Sequence, residues 1–273
     1  MIALVLAMST AATTCETRIL DYATWREAPG EAWTYSGPGR NGSSIALFGA
    51  EHLRNPAHPQ FARMADSFTR SGATVAFFEG PDRGSASDAE EAIRTQGESG
   101  YLRFLANKAG IPARSLEPSP VDMFAGVSGQ FEGDRLMPFF VLREAARLRD
   151  REGLKGEALD AAVAKLLAKA APLARQAKVQ TGISDLPSLD AAAGREWPAR
   201  NWRDLPSDWF SPLGGPPEAT FLPAINRAVS DYRNRHMYRL IVAEAEQGRK
   251  VFVVVGRNHV PMIAPALDCA LKR

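Results

Sequence analysis

Four side chains that can exchange protons or bind a metal ion follow four strand-like segments of the chain. His52 follows SSIALF, Glu79 follows ATVAFF, Glu117 follows ARSL, and His259 follows KVFVVV. Imidazole and carboxylate groups act as general acids and bases, and together they can also bind divalent transition metals. Because ligands bind outside the carboxyl ends of parallel strands, we expect these four side chains to meet in one crevice.

The elements that must position these side chains are predicted from hydrophobic patterns. The strand-like runs cover 43–48, 73–78, 113–116 and 250–255, and the helical patterns cover 58–71, 97–109, 120–130 and 223–247, with a short helix after Pro261. The second and fourth runs are nearly all apolar, which is typical of strands covered on both faces by helices. The alternation predicts an α/β fold with a mostly parallel central sheet flanked by helices.

The middle of the chain departs from this alternation. Helical patterns over 134–152 and 156–178 predict a helical insertion or cap over about 134–178. Residues 180–222 are irregular and rich in proline, glycine and tryptophan, which is typical of a binding loop, a lid or a packed surface loop. We expect residues 15–273 to form a single domain.

Composition excludes some classes of partner. The chain has 273 residues, of which 45% are hydrophobic and 23% charged, and its formal net charge is +2. Without a run of basic residues, neither a nucleic acid nor an anionic membrane surface is predicted as a partner. No segment is long and apolar enough to predict a membrane span. We expect a small-molecule or peptide substrate, and the sequence assigns no oligomeric state.

The two ends of the chain indicate export. The segment MIALVLAMSTAA resembles the apolar core and cleavage region of a secretory signal peptide over residues 1–14, with a buried strand as the alternative. In an oxidising compartment, Cys15 and Cys269 would form one disulfide. A lipid on Cys15 and two unrelated buried thiols are the alternatives. We expect a periplasmic or secreted protein.

Both histidines end the same motif, Gly-x-x-His, at 49–52 and 256–259. The glycine lets the chain turn as it leaves the sheet, so that the imidazole can face the crevice. His52, His259 and Glu79 could bind a divalent metal and leave a position for water. Without a metal, the same groups could act as general base, general acid and oxyanion stabiliser.

The last long helix carries an arginine that could join this site. Its apolar face is predicted from residues at helical spacing, namely Val229, Arg233, His236, Leu240 and Ala243. An arginine on an apolar face is costly unless it meets an anion, and Glu79, Glu117 or a substrate oxyanion are the available partners. The alternative is a side chain that reaches solvent along its apolar stem. His236 is expected to be either a core histidine or a site residue.

Several short motifs together resemble a known superfamily. The segments GAEH, FEGP, LEPS, RNRHM and VVVGRNHV resemble the superfamily of TraB/GumN-type and TIKI proteins, erythromycin esterases and ChaN-like haem-binding proteins. The resemblance spans 45 to about 265 without the middle insertion, and it is greatest to uncharacterised exported bacterial members. It implies an α/β fold in which His52 and His259 are the paired histidines, Glu79 the acidic residue and Arg233 the helix arginine. Glu51 stands one place from the acid of the esterase and ChaN branches, which leaves the branch open.

The resemblance implies more than one activity. TIKI proteins are metal-dependent proteases, erythromycin esterases open a lactone, and ChaN-like proteins bind haem. Our first hypothesis is a hydrolase of peptide or ester bonds, either with Mn, Co or Zn and with Glu79 or Glu51 as the base, or without metal. In the metal form Arg233 would stabilise the oxyanion, and in the metal-free form one histidine would activate water, assisted by a carboxylate. The second hypothesis is a ChaN-like haem- or ligand-binding protein without catalysis, and the third is a structural module.

Overall fold

The computed structural model describes residues 14–27 and 33–272. The predicted signal peptide lies outside these residues, apart from Thr14. The helices are α1 (Tyr22–Glu27), α2 (Pro59–Ser71), α3 (Ala89–Lys108), α4 (Pro120–Ser128), α5 (Gly133–Glu152), α6 (Gly156–Gln176), α7 (Leu186–Glu196), α8 (Leu222–Glu246) and α9 (His259–Leu271). The strands are β1 (Thr34–Pro38), β2 (Ser44–Ala50), β3 (Val75–Phe78), β4 (Ala113–Ser115) and β5 (Lys250–Gly256).

The five strands form one sheet in the order β1-β2-β5-β3-β4. Strand β1 pairs antiparallel with β2, and the other neighbours are parallel. The predicted α/β fold with a mostly parallel sheet is therefore confirmed. The four predicted strands correspond to β2, β3, β4 and β5, whereas β1 was not predicted because its sequence TYSGP contains glycine and proline.

The two faces of this sheet are covered by different helices. In β5, Val251, Val253 and Val255 pack on one face with residues of α8 and α9, such as Ile241 and Ile263. On the other face, alternate residues of the strands pack against side chains of α2 and α3. Successive side chains of a strand point to opposite faces, so a central strand covered on both sides must be apolar throughout.

Residue contacts divide the segment that was predicted as one domain into two compact units. Unit 1 comprises Met1–Glu117 and Asn234–Arg273 and contains the sheet; unit 2 comprises Pro118–Arg233. Helix α8 contributes residues to both. Unit 2 contains the predicted helical insertion, seen as α5 and α6.

The predicted irregular segment 180–222 includes helix α7 and three short 3-10 helices. Its three tryptophans, Trp197, Trp202 and Trp209, are each only 4% exposed and belong to the core of unit 2. The indole of Trp197 donates to the carbonyl of Glu218, and that of Trp202 donates to Asp190 Oδ1. Of the three alternatives for this segment, the packed loop is the one that these contacts support.

The predicted disulfide between Cys15 and Cys269 is present, with the two Cα atoms 5.5 Å apart. It joins the segment before α1 to the last turns of α9. None of the described helices is both long enough and apolar enough to cross a membrane.

Two helices begin earlier than predicted. Helix α3 was expected at 97–109 but begins at Ala89, where Asp88 caps it by accepting from the backbone N–H of Glu91. Helix α9 was expected after Pro261 but begins at His259. In α3, Gly97 has a positive φ of 64°, so the helical pattern is interrupted there and only the second half was recognised.

Candidate active site

The predicted site residues of unit 1 lie where β2, β5 and β3 end. Ala50 pairs with Gly256, so β2 and β5 end side by side, while Phe78 of β3 pairs with Val254. The backbone N–H of Glu79 continues this pairing by donating to the carbonyl of Val254 at 3.1 Å. The carboxylate of Glu79 can therefore reach the residue at which β5 ends.

Glu79 contacts both the end of β5 and a histidine. Its Oε2 accepts from the backbone N–H of Gly256 at 2.6 Å, and its Oε1 lies 3.6 Å from Nε2 of His259. A Cβ atom built on Gly256 would lie 3.2 Å from Glu79 Oε2, 3.5 Å from His52 Nε2 and 3.7 Å from His259 Cδ2. Both predicted histidines and Glu79 thus border one small space over Gly256, which exists because this residue has no side chain.

His52 is oriented by a carboxylate on α3. Its Nδ1 lies 2.5 Å from Oε1 of Glu98, whose side chain is 9% exposed against 54% for His52. The Gly97 kink makes this contact possible, because a Cβ there would lie only 3.2 Å from the carbonyl oxygen of Leu53. The kink thus lets α3 approach the segment that carries His52. From the sequence, Glu98 could either reach the site or begin the helix that follows, and we favoured the helix start, so this contact was not predicted.

His259 is oriented by an amide on α8. Its Nδ1 lies 2.5 Å from Oδ1 of Asn234, and both side chains are buried. The amide nitrogen of Asn234 lies 3.6 Å from the sulfur of Met262. Because an amide oxygen only accepts hydrogen bonds, the ring nitrogen that faces it carries the proton. Both imidazoles are therefore held through Nδ1. Nε2 of His52 faces the Gly256 space, whereas His259 borders this space with Cδ2 and has its Nε2 beside Glu79 Oε1.

The other predicted carboxylates occupy different places. Glu51 Oε1 lies 2.5 Å from a guanidinium nitrogen of Arg257, which stacks on the ring of Trp33 at 4.4 Å. Glu117 Oε1 accepts from the backbone N–H of Gly80, in the turn after Glu79. A further residue not found from the sequence, the buried Gln60, bonds the backbone N–H and carbonyl of Glu51 and so fixes the turn before His52.

The apolar face predicted for α8 is confirmed only in part: Val229 and Ala243 are buried as predicted, but the three predicted residues between them are not. His236 and Leu240 are half-buried, whereas Met237, Tyr238 and Ile241 are buried. Arg233 is half-buried and directly precedes Asn234, which is fully buried. Between Val229 and Ala243 the observed face is thus shifted by one residue from the prediction. A shift of this size suffices to bring Asn234 to the buried face.

The imidazole and carboxylate groups of the site are types that bind divalent metals, but their distances from one another are less suitable. Two imidazoles held through Nδ1, with a carboxylate beside them, resemble the outer contacts that orient metal-binding histidines. Within the described residues, however, no group of three His, Cys, Asp or Glu side chains is placed to hold a metal ion. The carboxylate of Glu79 already contacts Gly256 and His259. The arrangement as it stands therefore fits acid–base chemistry more directly.

Comparison with known proteins identifies no family: no family model matches the chain, and neither a curated protein nor a solved structure is significantly similar to it.

Proposed function

We propose that this chain is a hydrolase of ester or peptide bonds whose reacting groups are His52, His259 and Glu79. The observation that carries the proposal is the convergence of these three side chains on Gly256. Positioned groups of these types accelerate proton transfer to and from a reacting group by about 10²–10⁴-fold. The resemblance to the TraB/GumN and erythromycin esterase superfamily, which rests on short motifs, agrees with this proposal.

In this proposal His52 is the general base. With its Nδ1–H donated to Glu98, the imidazole takes a proton at Nε2 from a water molecule while the water oxygen attacks the substrate carbonyl carbon. The carboxylate of Glu98 fixes the tautomer of the ring and stabilises the cation that forms. The exposed fraction of His52, 54% of its side chain, supports this role because water and substrate can reach the ring.

His259 with Glu79 is the general acid. The tetrahedral intermediate collapses when the bond from carbon to the leaving oxygen or nitrogen breaks, and the leaving atom needs a proton. A protonated Nε2 of His259 supplies this proton in the proposed step, and Glu79 Oε1 lies 3.6 Å from that nitrogen. The buried Asn234 keeps the ring in place throughout.

The sequence resemblance alone supports Arg233 as the group that would stabilise the oxyanion. Glu51 and Glu117 take supporting roles in this proposal. Glu51, paired with Arg257, lies at the edge of the site, and Glu117 holds the turn after Glu79.

A metal-dependent version remains a second proposal, with His52, His259 and Glu79 as the ligands of Mn, Co or Zn. A bound metal would supply a water molecule of lowered pKa. The support for it is that both imidazoles are anchored at Nδ1. It requires Glu79 to leave its present contacts, so no step of the reaction above passes through a metal.

The experiment that tests the proposal compares purified wild-type protein with His52→Ala and His259→Ala. Initial rates on aryl esters and short peptides are measured with chelator and with added Mn, Co or Zn, and bound metal is measured by elemental analysis. Both variants should lose turnover by about 10²-fold or more while remaining folded. His58→Asn is the matched control, since His58 only caps α2 and asparagine is also a good cap. Retained turnover in both folded variants would contradict the proposal.

The predicted alternative of haem binding without catalysis is tested on the same proteins. A Soret shift on titration with haem, lost in both histidine variants, together with no hydrolysis, would replace the hydrolase proposal. We also propose a periplasmic or secreted location, because a disulfide such as Cys15–Cys269 persists in oxidising compartments.

A further inference from the structure

Arg103 of α3 is a buried cation that the mechanism above does not use. The residue is 4% exposed, its guanidinium lies 4.7 Å from the centre of the Phe78 ring, and its Nε has no hydrogen-bond partner. Burial lowers the pKa of Arg103, and the nearby carboxylate of Asp82 opposes this effect. Burial of a charged guanidinium costs free energy of folding. The contacts that Arg103 makes in return therefore indicate what it contributes to the structure.

The guanidinium connects the turn after Glu79 with the part of α3 that precedes its kink. One nitrogen donates to the carbonyl of Pro81 and to Asp82 Oδ1, both at 3.2 Å, in the turn that follows Glu79. The other donates to the side-chain oxygen of Gln96, which precedes the kink and Glu98. A single rigid and planar group thus links the chain beside Glu79 to the chain beside Glu98.

Ser99, one helical turn before Arg103 on the same face of α3, makes a second link. Its hydroxyl donates to the backbone carbonyl of Glu79 at 2.6 Å. The part of α3 after the kink therefore contacts the Glu79 turn at two points. Glu98, the neighbour of Ser99, contacts His52 from the same helix.

We infer that Arg103, assisted by Ser99, is a positioning residue that sets the separation between Glu79 and the His52–Glu98 pair. Its effect on turnover rests on the proposed function of the site. A misplacement of about 1 Å between reacting groups can lower a rate by about 10²-fold. A guanidinium that contacts the turn after Glu79 and the first part of α3 at once can fix the separation between these two segments, which a contact with only one of them could not do.

The test uses Arg103→Lys and Ser99→Ala, with Arg94→Lys as the matched control. Lysine keeps the charge of Arg103, but it has no planar fork that could donate to the turn after Glu79 and to Gln96 together. Arg94 lies on the same helix in an exposed pair with Glu90, so its replacement should leave both readouts unchanged. The readouts are kcat and KM at several pH values, and the imidazole ¹⁵N shifts of His52, assigned by comparison with His52→Ala.

Arg103→Lys should lower kcat by about 10–100-fold with little change in KM, and Ser99→Ala should lower it less. The ¹⁵N shifts of His52 should move toward those of a ring with mixed tautomers, because Glu98 would no longer hold Nδ1–H. A merely structural role would lower the thermal midpoint without changing kcat or these shifts in the folded protein.

Wild-type kcat and wild-type His52 shifts in both folded variants would overturn the inference. If Arg103→Lys does not fold, Ser99→Ala decides, since it removes one hydrogen bond worth only about 1 kcal/mol. If the wild-type protein hydrolyses nothing, the proposed function fails, but the His52 shifts still decide whether Arg103 and Ser99 position the site.

Discussion

The imidazole of His52, after strand β2, and the carboxylate of Glu98, beyond the kink in α3, form a 2.5 Å contact across 46 positions of the chain. One partner is exposed and the other is buried, so the ring can reach solvent while its orientation is fixed from below. A general base requires both access to solvent and a fixed orientation. The contact between His52 and Glu98 can be removed by mutation without creating a cavity in the core.

Glu98→Gln should lower kcat by about 10²–10³-fold, because the amide keeps the shape of the side chain but cannot stabilise a cationic imidazole. The thermal midpoint should change little. Steady-state kinetics and thermal unfolding measure both effects. Glu90→Gln, at an exposed position of the same helix, is the control and should behave as wild type. A Glu98→Gln protein as active as wild type would remove the role of Glu98.

Gly256→Ala should place a methyl group in the space shared by Glu79, His52 and His259. The three distances of 3.2–3.7 Å allow the fold to accept this methyl with small shifts, whereas a substrate or water would be displaced. We expect kcat/KM to fall by about 10-fold or more. Gly194→Ala is the control: nothing lies within 4 Å of its Cβ, and in helix α7 it should stabilise the protein by about 0.5–1 kcal/mol. If both alanine variants have the same kcat/KM, the reaction does not take place in the space over Gly256.

Asn234→Ala should lower both the free energy of unfolding and turnover. The change leaves the buried Nδ1 of His259 without its acceptor, which costs about 1–3 kcal/mol. Asn234→Asp restores an acceptor, and it should therefore recover part of the lost turnover. Urea unfolding and initial rates measure the two effects, with Arg235→Ala at the next, exposed position as the control. If alanine and aspartate variants lose the same activity, Asn234 does not act through His259.

Replacing Cys15 and Cys269 together by serine should lower the free energy of unfolding by about 2–5 kcal/mol, because the disulfide restricts the unfolded chain. Urea unfolding with and without a reductant measures the effect. Reductant should destabilise the wild-type protein and leave the double variant unchanged. Below the unfolding transition, kcat should stay near its wild-type value, since Cys269 lies ten residues along α9 from His259, a distance of about 15 Å. No response of the wild-type protein to reductant would contradict this prediction.

The sequence was most informative where a strand is covered on both faces. β3 and β5 are continuous apolar runs, and the polar residues that follow them were correctly placed at strand ends. Strand β1 was missed because an antiparallel edge strand pairs through its backbone and needs no apolar run.

The residues that orient the histidines were missed for different reasons. Glu98 follows a glycine whose positive φ interrupts the helical pattern, and its contact with His52 is far too distant along the chain for periodicity to indicate. The position of Asn234, by contrast, could have been recognised from the sequence. A polar residue on the same helix face as Tyr238 and Ile241 is buried and needs a hydrogen-bond partner in the core. Had the buried face of α8 been predicted correctly, Asn234 would have been identified as such a residue.

The strand order also bears on how the chain can be completed during synthesis. β5 lies between β2 and β3, yet among the described strands it is made after both of them. Until Lys250–Gly256 has emerged, β2 and β3 have no shared neighbour, and each presents an unpaired edge that can associate with another chain. Since β5 also delivers Gly256 and leads into His259, the histidine pair comes together only after β5 has been made. A nascent or truncated chain therefore carries His52 and Glu79 without a site.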